Sequence, residues 1–153
     1  MNNKLSALSD KEKKKYKSLV GQFIWLSTQT RPDIAFDVCE LSTLSKRATV
    51  SDLMRLKVIS RVTTDHIKLC FPKMMNMSNC SIECYSDASF ANLEGGGSQG
   101  GFIIFLQDTN DVKCPIYWES RKIRRVVKST LAAETLALLD CAETAVYINK
   151  IMQ

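Results

Sequence analysis

The chain has 153 residues, of which 45% are hydrophobic and 24% charged, the balance of a globular protein able to bury a core. Its 21 Lys and Arg against 16 Asp and Glu give a net charge of +5, which suits a polyanionic partner without requiring one. No segment approaches the ~18 uninterrupted apolar residues of a membrane span. The N-terminal "MNNKLSALSDKEKKKYKSL" has no apolar stretch of the signal-peptide kind. The expectation is a soluble, unsecreted, intracellular chain, cytoplasmic or nuclear, with no membrane partner. Its six cysteines, Cys39, Cys70, Cys80, Cys84, Cys114 and Cys141, are scattered and read as reduced thiols. A zinc site at Cys80 and Cys84 would need ligands from distant cysteines or from His66, so it is not expected.

In chain order, residues 1–15 are polar, with Lys11, Lys13, Lys14 and Lys15 reading as a solvated helix start or frayed end. "YKSLVGQFIWLS" predicts a helix from Tyr16 to about Ser27, with Trp25 in the core. Pro32 fixes φ and Asp33 can cap, so a second helix is expected from Pro32 to about Ser45. In "SDLMRLKVISRVTTDHIKL", Ser51 is the expected N-cap, and Leu53, Leu56, Ile59 and Val62 recur every three residues. The texture changes at "CFPKMMNMSNCS", which sets a boundary near Met77 between a helical segment, 1–77, and a β-rich region, 78–153.

"SIECYSDASF" alternates, with Ile82, Cys84 and Ser86 on one face and Glu83, Tyr85 and Asp87 on the other. After the loop "ANLEGGGSQG" come the strand "GFIIFLQ", a turn at "DTND" and the strand "CPIYWESRKI", with Trp118 expected in the core; this is an antiparallel meander. The glycines from Gly95 to Gly101 lack a following G-K-[ST] and helix, so they read as a flexible turn and not a phosphate cradle. "RKIRRVVK" then crowds Arg121, Lys122, Arg124, Arg125 and Lys128 together. A long helix follows, capped by Ser129 or Thr130. A helical wheel groups Glu134 with Leu138, Cys141, Ala145, Ile148 and Met152, at the start of the expected buried stripe, and puts Asp140 and Glu143 on the opposite side.

Two carboxylates therefore fall where apolar residues are expected, Asp87 on a strand and Glu134 on a helix. Buried together they would repel unless a cation lay between them, and a hard ion such as magnesium suits oxygen ligands. A strand-end Asp can equally cap its own turn, and a first-turn Glu is favoured by the helix dipole. The residues alone leave both readings open. Ser86 beside Asp87 does not make a hydrolase, because the single histidine, His66, lies in the helical half.

"CYSDASFAN", a glycine-bearing loop, "GGFIIFL", "IYWESRK" and "VVKSTLAAETLAL", in that order, resemble the ribonuclease H region of copia-type retrotransposon Pol polyproteins. "YKSLVGQFIWLSTQTRPDIAFDVCELSTLSKRAT" resembles the segment that joins reverse transcriptase to that domain. The resemblance implies an α+β chain: a helical N-terminal segment, then the first half of a ribonuclease H-like fold with three antiparallel strands and a long helix. It implies Asp87 and Glu134 as catalytic, metal-binding residues for Mg2+ or Mn2+ acting on the RNA of an RNA–DNA hybrid. Arg121, Lys122, Arg124, Arg125, Lys128, Ser129 and Thr130 become candidate nucleic-acid contacts, and the remainder of the Pol polyprotein a partner. The later carboxylates that the resemblance calls for do not occur before Gln153, so a partial domain, inactive or nearly so alone, is expected. The alternatives are a non-catalytic nucleic-acid-binding module and a degenerate transposon remnant.

Overall fold

A computed structural model describes residues 6–65, 67–75, 79–93 and 95–152. The chain divides into two compact units, Met1–Leu69 and Cys70–Gln153. Met77, where composition set a boundary, lies outside the described residues, as does His66. No described helix is long and apolar enough to cross a membrane.

The first unit is helical. Helix α1, Asp10–Gln29, begins earlier than the apolar pattern predicts because Ser9 and Glu12 form a capping box that anchors the lysine-rich turn. Its buried face carries Tyr16, Val20 and Phe23, which leaves Trp25 65% exposed on the outer side and corrects its expected core role. Pro32 starts a 3-10 turn, Pro32–Ile34, which runs into α2, Ala35–Thr43. Helix α3, Val50–Val62, is capped by Thr49 in a box with Asp52, and not by Ser51 as expected. Leu53, Leu56 and Ile59 are buried, whereas Val62 has rotated outward, since steps of three lag the helical turn. The Tyr16 hydroxyl donates to Leu41 O at 2.8 Å from inside this core, and burial pushes its pKa up to about 12.

Asp33 does not cap a helix. It accepts from Arg31 Nε and Nη2, both at 2.8 Å, while Arg31 Nη1 and Nη2 donate to Thr63 O and Val62 O at 3.1 Å. Arg31 is 5% exposed, so one buried guanidinium ties the start of α2 to the last carbonyls of α3.

The second unit is a three-stranded antiparallel sheet in the order β1-β2-β3 with one helix against it, so the chain as a whole is α+β. Strand β1 is Ser81–Leu93, β2 Gly97–Gln107 and β3 Lys113–Lys122; helix α4 is Thr130–Met152. Within the glycine run, Gly95 and Gly96 take positive φ in the β1–β2 turn, while Gly97, Gly100 and Gly101 belong to β2, so only part of the run is loop. Ser129 is the cap of α4, with Oγ accepting from Ala132 N at 3.1 Å. A Cβ added at Gly100 would lie 3.2 Å from Ala137 Cβ and 3.5 Å from Ile123 Cγ1, so the missing side chain lets α4 come close to β2.

Two outcomes test these contacts. Arg31→Met should cost ~3 kcal/mol in denaturant unfolding, because it strands the α3 carbonyls and Asp33 together. Arg31 holds the Asp33 carboxyl below its ordinary value of 3.8, so the stability from this pair is complete above that value and is lost as pH falls through the lower folded one; the variant should lose this acid limb. Gly100→Val should destabilise the second unit by ~1–3 kcal/mol in urea through overpacking against Ala137.

Candidate functional site

The strand register assigns each candidate to a face. Asp87 stands opposite Gly101, which stands opposite Ser120; Glu83 and Tyr85 share this face by alternation. The other face carries Ile82, Cys84, Phe102 and Ile104, and it is the face α4 covers, with Cys141, Ala145 and Ile148 packed on it. Asp87 is exposed, on the side away from the helix. The expectation that it points into a core is thereby corrected, and the alternation visible in "SIECYSD" is the reason.

Glu134 is also exposed. The buried residues of α4 are Ala133, Ala137 and Cys141, an i, i+4, i+8 line set by the smallest side chains, and Glu134 lies one step round the helix from Ala133. The wheel ranked apolar residues by hydropathy, whereas the close approach at Gly100 selects them by size. The two acids are thus carried on opposite sides of the sheet. No group of three or more His, Cys, Asp or Glu able to hold a metal ion occurs among the described residues.

The connection from β3 to α4 is different. Ile123 N donates to Ser98 O at 2.8 Å and its side chain is buried, which pins the middle of the basic run to the sheet. Arg121 Nη2 pairs with Asp140 at 2.6 Å and Nη1 reaches Glu119 at 3.5 Å, so this arginine fastens α4 to β3 and its charge is spent there. The Asp140 hydrogen bond, ahead of the other influences, raises its pKa. Asp140 is therefore half-buried in a clamp, not on a free outer face. Lys122, Arg124, Arg125 and Lys128 are exposed and make no ion pair among the described residues. Lys122, Arg124 and Arg125 border a cleft of about 350 Å³ whose other wall includes Leu136, Leu139 and Glu143 of α4. Ser129 spends an acceptor on its capping bond, and Thr130 is exposed as the first residue of the helix.

Among the described residues of this unit one carboxylate is buried, and sequence reasoning passed over it. Asp108, 4% exposed, accepts from Met75 N at 3.1 Å, Asn110 N at 2.8 Å and Val112 N at 3.0 Å. These bonds, that from Met75 foremost, lower its pKa, and they organise the β2–β3 turn. The signal was present in "DTND", since an Asp two residues before an Asn at a strand end commonly folds back on its own turn.

With this geometry in place, three relatives are informative. The retrovirus-related Pol polyprotein from transposon RE1 of Arabidopsis thaliana is 31% identical over 141 residues, 90% of this chain and 9% of that protein. The corresponding protein from transposon RE2 of the same plant is 30% identical, again over 90% of this chain and 9% of its own length. Secreted RxLR effector protein 161 of Plasmopara viticola is 29% identical over 137 residues, 88% of this chain and 91% of that protein. The chain spans about a tenth of the length of the two Pol polyproteins. No family model matches it, and no solved structure matches it significantly. Along most of its length the chain is a homologue of copia-type retrotransposon Pol polyproteins.

Proposed function

We propose that this chain is a retrotransposon-derived segment with a ribonuclease H-like second unit that binds the backbone of nucleic acid, an RNA–DNA hybrid among its ligands, without cleaving it unaided. The observation that carries this reading is the set of four exposed cations, Lys122, Arg124, Arg125 and Lys128, that form no ion pair among the described residues and run from the end of β3 through one pinned connection. Phosphates recognise such a set by charge and release counterions in doing so, with no requirement for base sequence. The order of elements, three antiparallel strands and then a helix, is consistent with the ribonuclease H resemblance.

Hydrolysis stands differently. Asp87 and Glu134 are both exposed and on opposite sides of the sheet, so residues 1–153 would need carboxylates from outside themselves to hold magnesium or manganese as the resembling enzymes do. The remainder of a Pol polyprotein is the natural source of such groups and the partner this reading assigns.

Binding of a labelled RNA–DNA hybrid should weaken with salt at a log–log slope of roughly −3 to −4, as four phosphate contacts require. Arg124→Ala with Arg125→Ala should flatten that slope by about 2 with little effect on fold. Cleavage by residues 1–153 should be absent with magnesium or manganese, as it should be in Asp87→Asn; cleavage that the Asp87→Asn change abolishes would overturn the reading.

A further inference from the structure

Cys84 and Cys141 were expected to be two of six scattered thiols, yet the fold brings them together. Cys84 lies on β1 opposite Ile104, on the face that α4 covers, and Cys141 is fully buried in one cluster with Ile104 and Phe102. Cys84 is among the groups that act on the Cys141 thiol, which agrees with the neighbourhood the register and the cluster give the two sulfurs. The two differ in one decisive respect: Cys84 is exposed, whereas Cys141 has no exposed surface. The close seating of α4 at Gly100, beneath Ala137 one turn before Cys141, brings helix and strand near enough for side chains as short as cysteine to meet.

We propose that Cys84 and Cys141 are an oxidative modification site, a thiol pair that a peroxide converts to an intramolecular disulfide joining β1 to α4. Cys84 is the sulfur a solvent oxidant can reach. Its thiolate attacks one peroxide oxygen and the O–O bond breaks; the departing hydroxide takes up a proton as water, leaving Cys84 as a sulfenic acid. Cys141 then gives up its proton and attacks the Cys84 sulfur; the S–O bond breaks and a second water leaves. The peroxide is reduced to two waters as the two thiols become one disulfide. Burial, and then Cys84, push the Cys141 thiol up to about 11, which keeps it protonated, so that Cys84 and not Cys141 meets the oxidant first. The bond would fix the helix that bears Glu134 to the strand that bears Asp87.

The test is to treat the purified chain with a small excess of hydrogen peroxide, block remaining thiols, and measure intact mass and a peptide map. The expected result is loss of two hydrogens, a Cys84–Cys141 cross-linked peptide, reversal by dithiothreitol, and a rise of several degrees in the unfolding midpoint of the second unit. Cys84→Ser, an exposed change that leaves the core intact, should abolish the cross-link. Cys141→Ala should trap Cys84 as a dimedone-reactive sulfenic acid. A disulfide between Cys80 and Cys84, a cross-link between chains through Cys70, over-oxidation of Cys84 with Cys141 untouched, or a cross-link that persists in Cys84→Ser would each overturn the proposal.

Discussion

The second unit depends on one close approach, that of Ala137 on α4 to Gly100 on β2. A helix sits on a sheet at a separation set by the side chains between them, and here the smallest pair sets it. Once the helix is that close, its rotation follows: Ala133, Ala137 and Cys141 face inward, and the larger Leu131, Leu138 and Tyr147 are left 59–73% exposed. The same rotation turns Glu134 outward, brings Asp140 within reach of Arg121, and sets Cys141 against Cys84. A helix apolar on most of its circumference has thereby been oriented by size and not by hydropathy.

This has a consequence for charge. Of the basic residues from the end of β3 to the start of α4, Arg121 is the one that forms an ion-pair clamp among the described residues, held between Glu119 and Asp140. Ile123 anchors the chain between its charged neighbours, so Lys122, Arg124 and Arg125 project from a backbone that is fixed at its midpoint. Cations on a fixed backbone lose less conformational freedom on meeting a phosphate than the same residues on a loose tail would, which favours binding. The acids, by contrast, are spent singly: Asp33 on Arg31, Asp108 on three backbone amides, Glu83 on Lys113. Among the described residues no three or more of these side chains, with Cys and His, gather to hold a metal ion.

Much of the architecture was legible in the sequence. Periodicity, with proline and turn residues, located the helices and strands of the described residues, and the order of the meander followed from its turns. What failed were ends and faces. Ser9 and Thr49 won the caps because each has an acid three residues on that completes a reciprocal box, a feature that outranks the first apolar position. Asp87 and Glu134 read as buried only while strand and helix are taken one at a time. The alternation in β1 already separated Asp87 from Ile82 and Cys84, but only knowledge of which face α4 covers tells which set is inside. The Cys84–Cys141 contact could not be read from one sequence at all, since it joins two elements through the packing of a third.

Related to Pol polyproteins, and sharing identity with a similarly sized secreted effector, the chain has a function that is decided at individual residues. The most direct measurement is a backbone amide spectrum of the 15N-labelled chain, titrated with a short RNA–DNA hybrid, first without and then with magnesium. The account predicts shifts confined to residues 121–130 that are the same with and without the metal. Magnesium-dependent shifts that converge on Asp87 and Glu134 would contradict it.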